Sequence, residues 1–405
     1  MDDKKNSSRE EDKNRQTIIM RRYIELVARW YDIPPSTKTL IKLLPIFIIL
    51  AAIPLTVRLL QQPQSLIQNA AAPAVYQVPS TIDSTGATDV SAALNSFIAS
   101  VPDNSIIQFP PQGKYLLSQG IQIAQRKGLT FEGNGSSLID ASSSGGSDQL
   151  SSLFVLGHAY QGSWSDNNNN ITVQDFTLIG NNTKPGVFTP GQEGEAGMEI
   201  EGTNNLLVQN VTVKGVFGDG FKIGDASNGV HLYNNTVQNA GRNDVSIVSG
   251  SNIEIDHNNF TESGYITFDI EPNTSGETIA YVNYHDNVIG SWKSAEFFAV
   301  DKSQTGAGIH DITVNNNIIS YGSLKTWVAS SVGRKQNITF TNNVSTLGPV
   351  AGPVLTLAHI DGLNVYGNLQ SLTSGSLAQI SDCTNVVTAP PSESPTPTPK
   401  PTAAP

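Results

Sequence analysis

Five short segments that repeat one pattern restrict this chain to very few folds. Gly197–Gly202, Gly220–Gly224, Asp244–Val248, Thr267–Glu271 and Phe297–Asp301 each hold two apolar residues two positions apart, with polar or small residues between them. That alternation marks a strand with one buried face. The inward pairs are Met198/Ile200, Phe221/Ile223, Val245/Ile247, Phe268/Ile270 and Phe298/Val300. Their second members stand at 200, 223, 247, 270 and 300, so the spacings are 23, 24, 23 and 30. A single short strand cannot bury its apolar face alone. Stacking the repeats into a solenoid of β coils does so.

A second register runs beside the first. Asn210, Asn234, Asn258, Asn287, Asn317, Asn343 and Asn368 each follow a short apolar strand, with gaps of 24, 24, 29, 30, 26 and 25. Asparagine tolerates the left-handed turn conformation, and its amide can bond to its copy on the next coil. A stacked asparagine ladder at one corner is therefore expected. A β-sandwich with hairpin turns is the alternative, but sandwich strands do not repeat a whole rung this regularly.

Charge divides the chain. Residues 1–58 carry 11 Lys/Arg and 7 Asp/Glu, whereas the remainder carries 13 and 28. An acidic main domain argues against nucleic acid as a partner. The lone Cys383 excludes an intrachain disulfide framework. The six histidines contain no HExxH or i,i+4 pair, so no histidine-rich metal site is expected.

Five regions follow in order. Residues 1–38 are polar and read as a cytoplasmic tail, with an amphipathic stretch from Gln16 to Tyr31. Residues 39–60 read as a single membrane anchor: Leu43–Val57 is uncharged and bracketed by Lys42 and Arg58. Most of the basic residues precede it, which places the N-terminus inside and the main domain outside the cell membrane. A cleavable signal peptide is the rival reading. Residues 61–80 read as a linker, 81–388 as the solenoid, and 389–405 as a Pro-rich extended tail. At the solenoid entry, Val90, Ala93, Leu94, Phe97, Ile98 and Val101 have helical spacing, and Thr88 or Asp89 is expected to cap that helix. Such a helix would cover the open coil end. Two turn-rich insertions, about 142–170 and 181–196, interrupt the coils and either border a site or are passive.

Ser84-Thr-Gly-Ala-Thr-Asp89, Ile107-Gln-Phe-Pro110, Gly113-Lys-Tyr115 and Phe131-Glu-Gly-Asn-Gly135 resemble the entry of the pectin-lyase-like right-handed parallel β-helix superfamily. The resemblance spans about Ile82–Val387 and includes pectate lyase and polygalacturonase-like domains. It implies an all-β, right-handed parallel β-helix. Polygalacturonases carry Asn-Thr-Asp, Asp-Asp, Gly-His-Gly and Arg-Ile-Lys on successive coils. Here Phe217-Gly-Asp-Gly-Phe221 keeps Asp219, and Arg242-Asn-Asp244 keeps one carboxylate. Ser263-Gly-Tyr265 and Phe298-Ala-Val-Asp301 stand where the last two motifs belong. The polygalacturonase site is therefore not carried over whole.

Strand alternation sends Glu199, Lys222, Ser246, Asp269 and Ala299 outward in one column, and Glu201, Gly224, Val248, Glu271 and Asp301 in the next. Asp244 is expected to face out as well. Asp219, Asp244, Asp269 and Glu271 are the candidate catalytic carboxylates, since crowded acids can leave one protonated as a general acid. Alternate residues lie roughly 6.7 Å apart, which places Asp269 and Glu271 near an inverting glycosidase spacing. Lys222, Arg242, Tyr265, Glu199 and Asp301 are candidate substrate-binding residues, with Lys222 or Arg242 able to hold an acidic sugar or serve as base in an elimination. Glu271 and Asp301 could instead share Ca²⁺. The rival is an ordinary solvated face. Two functions remain open: an extracellular enzyme acting on a polysaccharide by hydrolysis or elimination, and a non-catalytic surface module that binds glycans or spaces the envelope.

Overall fold

The computed structural model describes residues 72–141, 152–157, 168–290, 296–300, 308–320, 322–331 and 333–390. The expected anchor at 39–60, the segment before it and the tail from 391 lie outside the described residues. Among the described residues, no helix is long and apolar enough to cross a membrane.

The chain is an all-β, right-handed parallel β-solenoid of about 10 turns. Every pairing between named strands is parallel, because each strand bonds to its copy one coil away. Three ladders of strands run along the coil. The first contains Ser152–Leu156, Ala196–Glu201, Phe221–Gly224, Val245–Ile247, Ile266–Ile270, Glu296–Val300 and Thr326–Val328. The second contains Asn168–Ile179, Thr203–Gln209, Ser227–Tyr233, Gly250–Asp256, Thr278–His285, Gly308–Asn315 and Lys335–Thr341. The third contains short strands such as Thr212–Lys214, Thr236–Gln238 and Asn259–Thr261. The expected rungs align: Met198, Phe221, Val245, Phe268 and Phe298 are register partners in turn. All five side chains are fully buried. Phe268 stacks on Tyr284 at 4.5 Å and on Phe298 at 5.2 Å, so aromatic contacts continue from coil to coil.

The solenoid begins earlier than the sequence suggests. Ala74–Gln77, inside the expected linker, already pairs with Ser105–Gln108. The helix forms at Ser91–Ser100 and buries Ser91, Leu94 and Ile98. Its N-cap is Val90, with no side-chain cap. Asp89, one residue earlier, instead accepts the Ser91 N–H at 3.0 Å and binds Ser118.

The asparagine ladder is present, with Asn235 in place of Asn234 and Val211, not Asn210, at its first corner. The buried line runs Asn235, Asn258, Asn287, Asn317, Asn343 and Asn368. Each backbone N–H donates to the next residue's Oδ1 at 2.8 to 3.1 Å. Each Nδ2 reaches back to a carbonyl of an earlier strand, as in Asn258 to Leu232. The left-handed conformation falls on the preceding residue: Asn210, Asn234, His257, Asp286, Asn316, Asn342 and Gly367 have φ between 52° and 70°. The sequence reading assigned both tasks to one asparagine, whereas the corner divides them between two neighbours.

Candidate functional site

The outward columns of the first ladder form the site. Lys222 pairs in register with Glu199 and Ser246, and Ser246 with Asp269. Outward does not mean exposed here. Glu199, Asp219 and Asp269 have no exposed surface, and Glu271 has 4%. The rival reading, an ordinary solvated face, is thus overturned. The second insertion packs over the turns of the same coils. Asn182 donates to the Val216 carbonyl, Gly218 N–H donates to the Glu195 carbonyl, and Phe188 stacks on Tyr265 at 5.4 Å. Gly218 permits this approach, because a Cβ there would lie 2.4 Å from the Glu193 carbonyl oxygen.

Buried carboxylates need compensation, and two cations supply it. Arg242 Nη1 lies 2.9 Å from Asp219, and its Nη2 contacts Glu271 and stands 3.9 Å from Asp269. Asp219 also accepts from the Asn243 N–H at 3.0 Å and from the Ser246 hydroxyl at 2.5 Å. Asn243 Nδ2 donates to Asp269 at 3.2 Å. Burial opposes the charge on Arg242, but Asp219, Glu271 and Asp269 together hold it protonated. Arg242 sits between Asp219 and Glu271, where a shared cation would have to compete with it. Asp301, the other half of the expected Ca²⁺ pair, lies outside the described residues.

The second group is Glu199, Lys222 and Glu201. Lys222 Nζ is 2.7 Å from Glu199 and 3.3 Å from Glu201. Ser152 donates to Glu199 at 3.2 Å. One ammonium cannot neutralise two buried acids. Burial pushes the Glu201 carboxyl up to about 8, with Lys222 opposing and Glu199 adding to the rise. Glu195 is likewise pushed up to about 7 by burial and by Asp140. Neither acid stood among the sequence candidates. Glu201 was legible as the next outward position after Glu199. Glu195 was not, because nothing in the turn-rich insertion indicates which of its acids becomes buried.

Asp244 departs from expectation. At the register position before it, a Cβ added to Gly220 would meet the core residue Val237 at 2.6 Å, so this position points into the coil. The chain turns at 218–220 and 242–244, and alternation does not extend back across the turn. Burial drives the Asp244 carboxyl well above the carboxylate range, Ser263 opposes, and Asp219 adds. Burial and then Asp244 also raise the hydroxyl of Tyr284, a core residue. Asp244 is thus a buried acid inside the core, pointing away from the outward cluster. Tyr265, half-buried, gives its ring to Phe188.

The sequence profile of the family described as rhamnogalacturonase A/epimerase, pectate lyase-like, matches residues 80–293. No curated protein matches the chain. Among solved structures, the family 28 exopolygalacturonase of Yersinia enterocolitica is similar at 11% identity and a TM-score of 0.54, covering 78% of this chain and 79% of that one. The tailspike protein of E. coli bacteriophage HK620, in complex with a pentasaccharide, is similar at 13% identity and a TM-score of 0.50, covering 82% and 65%. The Aspergillus tubingensis endo-xylogalacturonan hydrolase matches at 13% identity and a TM-score of 0.49, covering 77% and 93%. Identities this low speak to the fold alone. The profile match covers more than half of the 405 residues on a pectin-lyase-like right-handed β-helix, and the chain belongs to the rhamnogalacturonase A/epimerase, pectate lyase-like family.

Proposed function

We propose that this chain is a polysaccharide-active β-helix protein that cleaves a glycan at the outward face of the first strand ladder. One observation carries the reading. Glu199, Glu201, Asp219, Asp269 and Glu271 outnumber Lys222 and Arg242 on a single face, and Glu201 is pushed up to about 8. A carboxyl that stays protonated at neutral pH has the property a glycosidase needs in its general acid. Asp219 and Asp269, which Arg242 approaches to 2.9 and 3.9 Å, are the bases or charge stabilisers, and Lys222 and Arg242 favour an acidic sugar. Substrate reaches them when the 181–195 insertion yields. The same anchored topology completes the proposal: residues 39–60 cross the cell membrane once, the N-terminus stays in the cytoplasm, and the Ser91–Ser100 helix covers the entry of an extracellular solenoid.

Incubating the full-length protein with a panel of uronate-containing and neutral glycans tests this, with reducing ends and unsaturated products both measured. Turnover is expected, with a loss of about a hundredfold or more in Glu201→Gln. Absence of turnover on every glycan would sink the enzymatic reading. A second reading, a surface module that binds glycan without cleaving it, is favoured by Arg242 already pairing the carboxylates and by the departures at Ser263-Gly-Tyr265. Binding without turnover would establish it. For topology, protease added to intact cells is expected to remove the solenoid and leave the N-terminus.

A further inference from the structure

The second strand ladder carries a different group of side chains, at the corner where the asparagine line begins. His231 and Glu254 are register partners, as are Asp256 and His285. Histidines that are 54 residues apart in sequence, 231 and 285, therefore stand on coils separated by only one other. His285 Nε2 lies 2.7 Å from Glu254, and its Nδ1 lies 2.6 Å from Asp286. Asp256 receives His231 Nε2 on one oxygen and His257 Nδ1 on the other, each at 2.6 Å. One ligand atom from each of Glu254, Asp256 and His285 falls within 4.8 Å of the others.

We propose that Glu254, Asp256 and His285 form a binding site for a borderline divalent metal ion, with Zn²⁺ as the fitting cation. Imidazole nitrogen and carboxylate oxygen are ligands that Zn²⁺ accepts in tetrahedral sites. Two features go beyond a chance meeting of acids. Asp286 holds the Nδ1 of His285, which directs Nε2 toward Glu254. A carboxylate behind a ligating histidine is the usual outer support of such a site. The ligands also sit on strands fixed in register by the buried asparagines Asn258 and Asn287, so little has to be reorganised on binding. His231, already on Asp256, is the nearest group for a fourth position. Asp256 is nearly buried, whereas Glu254 and His257 are half exposed, so an ion can enter from solvent. A bound ion would tie two successive coils together through side chains alone, and a third if His231 joins it.

Equilibrium dialysis of the full-length, chelator-treated protein against Zn²⁺ tests the site, with Co²⁺ absorption as a second reading. The wild type is expected to retain one Zn²⁺ per chain and to show visible Co²⁺ bands. His285→Ala and Glu254→Gln are each expected to weaken binding by about tenfold or more and to abolish the bands. Glu254 is half exposed and outside the core, so that variant is expected to keep its fold even if His285→Ala does not. Far-UV circular dichroism checks both. His359→Ala, which removes an unrelated histidine beside Asp382, is expected to bind as the wild type does. The proposal is overturned if the wild type retains no Zn²⁺ at millimolar concentration. It is equally overturned if Glu254→Gln binds unchanged, or if Cys383→Ser is the change that abolishes binding.

Discussion

Replacing Arg242 with Met tests the core of the site description. The change keeps the aliphatic stem and removes the guanidinium, leaving Asp219, Asp269 and Glu271 facing one another with almost no access to water. At an effective dielectric of about 20, unit charges about 4 Å apart interact by about 4 kcal/mol. Arg242 has one such contact at 3.9 Å, another at 2.9 Å and a third with Glu271. Part of that attraction offsets desolvation, so breaking the buried pair is expected to cost about 3–5 kcal/mol. That is a large share of a typical folding free energy of about 5–15 kcal/mol. The sign with pH follows from linkage. In the variant, the orphaned carboxylates have folded pKa values above their unfolded ones. The penalty is therefore present near neutrality, where they must ionise, and it fades as pH falls below about 4. Chemical denaturation of parent and variant at pH 7 and pH 4 reads both effects. A loss under about 1 kcal/mol at pH 7, or an equal loss at both pH values, would refute the claim that Arg242 neutralises these acids.

Three further outcomes are expected. Asp244→Asn should melt higher than the parent at pH 8 and converge with it near pH 4. A carboxyl whose pKa is raised by folding contributes its stability below the unfolded pKa and loses it as pH rises. A parent that melts higher at pH 8 would place Asp244 among paired, ionised groups. Phe268→Ala should cost about 3–5 kcal/mol in denaturation, since it leaves a cavity between Tyr284 and Phe298. Asn317→Ala should cost about 2 kcal/mol or more, because it orphans the buried N–H of Asn287 and the Tyr284 carbonyl, whereas Asn234→Gly, which keeps the left-handed turn and loses only an exposed bond, should cost well under 1 kcal/mol.

How much of this was legible in the sequence follows from what period-2 alternation can encode. It placed Phe221, Val245 and Phe268 inside and Lys222 and Asp269 on the other side, because a strand admits only two directions. It could not tell that the outer side is buried, since alternation gives the direction of a side chain and not what packs over it. It failed at Asp244 for a related reason: alternation is a property of strands, and this residue belongs to the turn that precedes one. The asparagine register was readable from spacing, but the split between a left-handed residue and a bonded one was not. Asn234 and Asn235 are identical letters, and only the backbone conformation separates their tasks.

The buried asparagines are separated by 23, 29, 30, 26 and 25 residues, yet every link has the same geometry. Coil circumference is therefore decoupled from coil stacking. Extra residues leave the coil between fixed points and return without disturbing the rung above or below. In evolutionary and engineering terms the solenoid is a rack with interchangeable drawers. A loop can be lengthened, shortened or exchanged with one from another coil while the core need not be redesigned. Diversification of what such a protein recognises can then proceed by loop exchange alone, at a stability cost set by the loop and not by the stack.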